Sequence, residues 1–180
     1  MMIAGIDLST HAIDVVTVPL EGVGAPVWHR FPLEGPTSFD RARRVRDAMP
    51  ARTSAFWDEV TEIGIEEPAG FTASHAMRIQ GGVLACLPPA LKVTKWMPSQ
   101  WRKAAGLKGN ASKSDVYQYV ASAYRPGWTT MRQLPWRHGQ ENGFGSMSTA
   151  TEMDWPQDAC DAYCVALATR AAITIDKADE

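Results

Sequence analysis

The sequence predicts an α/β fold in which a mixed five-stranded sheet is flanked by helices. Three short apolar runs near the start are separated only by turn residues, which is typical of three strands in an antiparallel meander. Two later apolar runs are separated by a stretch with helical periodicity. Within the first run, residues 3–6 are apolar throughout, as expected for a strand that is buried on both faces.

The predicted elements follow in chain order. The first strand lies within residues 2–9 and ends near Asp7, and the other strands cover 13–18, 27–33, 62–66 and 90–95. Helices are predicted at 37–49, 72–87 and 157–175, with a short one near Phe56 and two between 97 and 124. Ser112 and Asp115 form a capping box that starts the second of these two. The 37–49 helix is expected to bury one apolar stripe, made of Phe39, Ala42, Val45 and Met49.

Residues 125–157 show little periodicity and are rich in Gly, Ser, Thr, Met and Trp. A connection of this length in a compact domain is either functional or mobile. We therefore expect a single domain over residues 1–180 with a long loop insertion at about 125–157.

Composition places the chain among reduced globular proteins. Its 180 residues, 45% of them hydrophobic, suffice for a core that needs no disulfide or metal for folding. The three cysteines are an odd number without metal-site spacing, and Cys160 and Cys164 are expected to be small buried side chains. No targeting leader and no apolar run of membrane length are visible, so a cytoplasmic location is expected.

Charge is unevenly distributed, although the formal net charge is only −2. Residues 1–87 contain 7 basic and 11 acidic residues, and residues 141–180 contain 2 and 8. Residues 88–140 contain 9 basic residues and one acidic residue, Asp115. A basic segment between acidic ones favours a polyanion-binding surface beside a carboxylate site, and a solvated basic face is the alternative interpretation.

Four carboxylates occupy positions that suggest a metal site. Asp158 and Asp161 are three residues apart, so they project from one face of the last helix, where they repel each other. A helix-dipole interaction would explain Asp158 but not Asp161, which lies on the inward face. Asp7 and Glu66 each end an apolar strand, and neighbouring strands would bring them to one edge of the sheet. Oxygen-only ligands suit Mg²⁺ or Mn²⁺, and two such ions can drive phosphoryl displacement.

These features together resemble the RuvC-type Holliday junction resolvases, especially their phage-borne branch, within the RNase H-like superfamily. The resemblance covers most of the chain. It rests on Asp7 after Ile-Ala-Gly-Ile, Glu66 in Ile-Glu-Glu-Pro, the Gly-Asn-Ala-Ser-Lys turn at 109–113 and the Asp-x-x-Asp-Ala start of the last helix. It implies an RNase H-like fold and a homodimer that uses Mg²⁺ to cut two strands of like polarity in a four-way DNA junction.

The resemblance also implies residue roles. Asp7, Glu66, Asp158 and Asp161 would be the metal ligands, with Glu67 as the rival to Glu66, and Lys113 would contact a phosphate. Phe71 stands near the position of the family's aromatic wedge. A phosphate-binding surface is predicted for the basic side chains that precede the last helix, with Trp96 and Trp101 as stacking or core residues: Lys92, Lys95, Arg102, Lys103, Lys108 and Lys113.

Other functions compete with junction resolution. An RNase H-like nuclease that acts on flaps, forks or RNA–DNA hybrids would use the same carboxylates. A catalytically silent module that binds branched DNA is a second alternative, although all four carboxylates are present. A sugar kinase or actin-like protein would need two such domains and glycine-rich nucleotide motifs, which the sequence lacks. His11 is expected to be a turn residue rather than a proton shuttle.

Overall fold

A computed structural model of the chain describes residues 1–22, 24–69, 73–123, 129–132, 147–149 and 155–178. One sheet runs in the order β5-β4-β1-β2-β3-β6-β7. Its strands are β1 Met2–Leu8, β2 Ala12–Pro19, β3 Val27–Pro32, β4 Val60–Glu66, β5 Lys92–Trp96, β6 Thr129–Arg132 and β7 Met147–Thr149. All five predicted strands are present, and β1, β2 and β3 form the predicted antiparallel meander. The two short strands β6 and β7 were not predicted.

The helices flank this sheet. They are α1 Ser38–Arg43, α2 Val45–Ala48, α3 Ala73–Cys86, α4 Pro98–Ala104, α5 Lys113–Ala123 and α6 Gln157–Ala178. The Ser112 hydroxyl accepts from the Asp115 amide at 3.2 Å, and the Asp115 carboxylate accepts from the Ser112 amide at 2.7 Å, so the predicted capping box is present. None of the helices in the described part of the chain is long and apolar enough to cross a membrane.

The predicted helix at 37–49 is divided into two pieces. Arg44 ends α1 with ψ near 1°, and α2 begins at Val45. Val45 is buried against Gly82 of α3, whereas Phe39 is 55% exposed. The expected burial of Phe39 is therefore wrong, because the stripe assumed one continuous helix and the break changes which side chains face the sheet.

Side chains alternate between two apolar layers on opposite faces of the sheet. Ile3 of β1 and Val16 of β2 lie in the layer covered by α4, α5 and α6. Ala4, Ile6 and Val15 lie in the layer covered by α2 and α3. The odd-numbered residues of β1 and the even-numbered residues of β2 therefore face α6, as do the even-numbered residues of β4 from Glu62 onward, after the register shift near Val60.

Helix α6 lies unusually close to the centre of the sheet. A Cβ atom on Gly5 would overlap the backbone carbonyl oxygen of Ala162, and one on Gly64 would overlap the hydroxyl of Thr169. At Gly5 backbone atoms, which cannot move aside, occupy the space that a side chain needs, and at Gly64 the buried side chains of Thr169 and Val165 occupy it. This contact sets the height of α6 above β1 and β4.

We expect Gly5→Ala to lower the free energy of unfolding by about 3 kcal/mol, since overpacking against backbone cannot be relieved by a rotamer change. Urea denaturation would measure this. Gly81→Ala is the matched control, because the α3 residue Gly81 has open space around it and alanine favours helix by about 0.5–1 kcal/mol. A Gly5→Ala protein as stable as the unsubstituted chain would contradict the close approach.

Candidate active site

A row of polar side chains crosses the sheet on the face covered by α6. Asp7 of β1 pairs directly with Asp14 of β2, and Asp14 pairs with Arg30 of β3. On the other side, the parallel register of β1 and β4 places Glu66 next to Asp7, and Glu66 pairs with Trp96 of β5. Side chains of directly paired residues project from the same face, so the row is set by register.

The start of α6 lies over this row. Asp161 is buried, and its Oδ1 accepts a hydrogen bond from Gln157 Nε2 at 2.9 Å. Asp158, one turn earlier, is half-buried. Helix α6 packs on β1, β2 and β4, so both carboxylates lie over the strands that contain Asp7, Asp14 and Glu66.

Burial and mutual repulsion perturb these carboxylates. Burial raises the pKa of Asp7 well above its ordinary value, and the negative charges of Glu66, Asp161, Asp158 and Asp14 raise it further. An acid in such surroundings resists ionisation unless a positive charge is supplied. Asp7 is the centre of the cluster in electrostatic terms, because all four of the other carboxylates act on it.

Glu66 is perturbed in the same sense. Burial and the charge of Asp161 raise the pKa of Glu66 to about 7, against opposing effects of Trp101, Arg102 and Lys113. Burial also raises the pKa of Asp161. Trp101, which is fully buried, donates its indole Nε1–H to Glu66 Oε2 at 3.0 Å. Strand alternation directs Glu66, and not Glu67, toward α6 and the cluster.

The donor set fits a hard divalent cation in its chemistry. The cluster offers only carboxylate oxygens, the ligands that Mg²⁺ and Mn²⁺ prefer, and its buried negative charge is what a cation would neutralise. In the described ranges, however, no three His, Cys, Asp or Glu side chains converge closely enough to hold one ion. Three of these carboxylates could therefore bind one ion only after their side chains rotate. The backbone positions are already fixed by the sheet and by α6.

Comparisons with known proteins bear on this arrangement. No protein-family model and no curated protein matches the sequence. Among solved structures, Thermus thermophilus RuvC superposes with a TM-score of 0.62 at 19% identity, over 98% of this chain and 97% of that one. This chain has the RuvC fold. T. thermophilus RuvC in complex with a Holliday junction substrate also superposes with a TM-score of 0.62, at 17% identity over 97% of this chain and 96% of that one.

The likeness to RuvC confirms the fold that the sequence motifs indicated, an RNase H-like sheet with flanking helices. The buried Cys160 and Cys164 confirm the expected packing of α6. His11 is exposed in the turn between β1 and β2, where its backbone carbonyl accepts from the Leu33 amide at 2.8 Å. This agrees with the expected turn role.

The basic residues that were predicted to bind phosphates differ in their distance from the cluster. Arg102 and Lys113 are close enough to the cluster to lower the pKa of both Glu66 and Asp161. Lys92 begins β5, about 13 Å of strand rise away from Trp96, and forms an ion pair with Glu62 at 3.5 Å. Three others are exposed on β5, α4 or the following turn, namely Lys95, Lys103 and Lys108. Lys95 pairs with Ile65 and therefore projects from the face of the sheet opposite to the cluster.

Some residues of interest lie outside the described part of the chain. Phe71, the expected aromatic wedge, is one of them, and most of the expected loop at 125–157 is another part. Their predicted roles stay predictions. Trp96 is half-buried, and its Nε1–H donates to Thr169 Oγ1 at 2.9 Å, so it links β5 to α6.

Asp14 was not among the predicted site residues. It is fully buried, its Oδ1 accepts from Trp28 Nε1 at 2.7 Å, and Arg30 lies 3.3 Å from the same oxygen. Burial raises the pKa of Asp14 to about 6, although Arg30 and Trp28 act against this rise. The available signal was a single charged residue in a strand, Ala12–Pro19, that is otherwise apolar except for Thr17. The pairing of Asp14 with Asp7 across β1 and β2 places Asp14 in the polar row.

Proposed function

We propose that this protein is a metal-dependent, structure-selective DNA endonuclease that resolves four-way junctions by paired, symmetric nicks. The observation that carries the proposal is the buried carboxylate cluster of β1, β4 and α6 within a RuvC fold. The two RuvC structures come from a protein that is also seen with a Holliday junction substrate, and we extend that substrate class to this chain.

We assign ligation of Mg²⁺ or Mn²⁺ to Asp7, Glu66, Asp158 and Asp161. Two such ions, when bound, activate a water molecule and stabilise the leaving oxygen of an in-line phosphodiester displacement. Asp7 supplies a buried charge on which the other three act, and Trp101 holds the carboxylate of Glu66 through its indole N–H. Gln157 orients the carboxylate of Asp161 in the same way.

Recognition of DNA is assigned to the basic side chains beside the cluster. Arg102 and Lys113 are positioned to neutralise phosphates next to the cleaved bond, because both already act on the carboxylates. The exposed Lys103 and Lys108 extend this surface, and Lys92 contributes only if its ion pair with Glu62 opens. Lys95 is not assigned to this surface, because it projects from the opposite face of the sheet. Paired nicks require two active sites, so we propose that the protein acts as a homodimer.

Cleavage of a labelled four-way junction, with and without Mg²⁺, tests the proposal. Linear duplex, a flap and an RNA–DNA hybrid serve as substrate controls. Paired nicks at symmetric positions, confined to the junction and dependent on Mg²⁺, are expected. Equal cutting of flaps or hybrids would support a nuclease activity but contradict selectivity for junctions. Binding of the junction without cutting would favour a non-catalytic module.

Trp101→Phe is expected to slow junction cleavage about tenfold, because Glu66 loses the hydrogen bond that orients it. Single-turnover cleavage rates measure the effect. Trp57→Phe is the matched control. Trp57 is also buried, but it lies in the opposite apolar layer, and its Nε1–H has no hydrogen-bond partner in the described part of the chain. Equal rates for the two variants would contradict a role for Trp101 in positioning Glu66.

A further inference from the structure

The ion pair of Asp14 and Arg30 continues the polar row beyond the proposed metal ligands. The Asp14 side chain is 0% exposed, whereas the Arg30 side chain is 31% exposed and reaches solvent. Arg30 Nη1 lies 3.3 Å from Asp14 Oδ1, which also accepts from Trp28 Nε1. One end of the pair is therefore fixed in the sheet, and the other is open.

Stability does not explain this pair. Asp14 lies beside Asp7, so two buried negative charges face each other across β1 and β2. The second oxygen of Asp14, Oδ2, is buried and has no hydrogen-bond partner among the described residues. A buried carboxylate that is only partly satisfied is usually less favourable than an apolar side chain of similar size. Val16, which lies on the same face of β2 as Asp14, shows that this face accepts such side chains.

The position of Arg30 relates it to the cluster. β1, β3 and β4 run in the same direction, so Asp7, Arg30 and Glu66 all lie near the carboxyl-terminal edge of the sheet. Two strand spacings separate β1 from β3, or about 10 Å. A guanidinium group has five N–H donors in a planar fork that matches phosphate oxygens, and Asp14 uses one side of it.

We propose that Arg30, held in place by Asp14, binds a backbone phosphate of the DNA strand adjacent to the phosphate that is cleaved. The assignment rests on the proposed function, because it takes the substrate to be DNA. Asp14 acts here as a positioning residue that fixes the guanidinium on the edge of the site. Trp28 fixes Asp14 in turn through the same oxygen.

Fluorescence anisotropy of a labelled four-way junction in CaCl2, with the substrate checked for cleavage afterwards, tests the contact. Arg30→Ala is expected to weaken binding about fivefold to tenfold and to reduce the slope of log K against log salt by about 0.9. Arg46→Ala is the matched control, since Arg46 is an exposed arginine of α2 beside Arg52 and Cys86, on the opposite face of the sheet. Arg30→Lys should retain the slope and recover part of the affinity.

The Asp14→Asn variant tests whether Asp14 positions Arg30 or affects DNA only through its negative charge. If Asp14 only repelled DNA, removing its charge would strengthen binding, whereas loss of the tether is expected to weaken binding about threefold. Tighter binding by Asp14→Asn would overturn the tether. Binding by Arg30→Ala equal to that by Arg46→Ala would overturn the contact alone. Failure of the unsubstituted chain to bind the junction would overturn the proposed function and this contact with it.

Discussion

Replacing Asp7 by asparagine is expected to lower the rate of junction cleavage at least about 1,000-fold and, at the same time, to stabilise the protein in EDTA. Asp7 is the buried carboxylate on which four others act. Asparagine keeps the size of the side chain and removes the charge. We therefore expect the free energy of unfolding at pH 7.5 to rise by about 2 kcal/mol.

The control for this substitution is Asp47→Asn. Asp47 is an exposed residue of α2, in a helix that packs against the opposite face of the sheet. Its replacement should change neither cleavage nor stability by a measurable amount. Cleavage would be followed under single-turnover conditions and stability by urea denaturation. An Asp7→Asn protein that is less stable in EDTA than the unsubstituted chain would show that repulsion does not dominate the cluster.

Stability should also depend on pH through Glu66. The pKa of Glu66 is raised from its ordinary value of 4.5 to about 7. In EDTA, the folded protein therefore binds more protons than the unfolded chain between these values. The resulting stabilisation is fully present below pH 4.5 and is lost as pH rises to about 7. This loss corresponds to about 3 kcal/mol for Glu66.

Glu66→Gln isolates this contribution. Burial lowers the pKa of His29 from 6.5 to about 4, so His29 has the opposite effect: its stabilisation is present above pH 6.5 and is lost as pH falls toward 4. His29 is present in both proteins, so its effect cancels when the unfolding free energy of Glu66→Gln is compared with that of the unsubstituted chain. The difference in unfolding free energy should grow by about 3 kcal/mol from pH 4.5 to 7.5, with glutamine the more stable at the higher pH.

Magnesium should neutralise the negative charge of the carboxylate cluster and so stabilise the folded protein. At pH 7.5 we expect Mg²⁺ to raise the melting temperature of the unsubstituted chain, because binding to the folded state adds stability. Asp7→Asn should cancel that gain, and Asp47→Asn should retain it. Differential scanning fluorimetry in EDTA and in MgCl2 would measure both. A melting temperature that does not respond to Mg²⁺ would argue against a metal site at the cluster.

Local patterns accounted for much of the fold. Apolar runs that end in turn residues identified the strands that became β1 to β5, and helical periodicity identified α3, α5 and α6. These signals are strong because burial on both faces of a sheet constrains nearly every residue of a strand. The division of α1 from α2 at Arg44 left no such signal, since an amphipathic pattern continues across a break of one residue.

The candidate site was partly visible in the same way. Asp7, Glu66 and Asp161 interrupt apolar patterns, and acids in such positions require a reason. Asp14 interrupts the pattern of β2 equally, yet its meaning depends on its pairing with Asp7, which is decided by how two strands align. Likewise, the hydrogen bond from Trp101 to Glu66 joins residues 35 positions apart.

The sequence by itself determined which residue types line the strands and the start of α6, because side-chain direction alternates along a strand and repeats along a helix. The tertiary structure decided which of these residues meet. Glu66 rather than Glu67 enters the cluster because α6 covers that face of β4. Helix α6 can do so only where Gly5 leaves room for its backbone and Gly64 for its side chains. Strand register and helix approach are set by packing between distant segments, which no local pattern specifies.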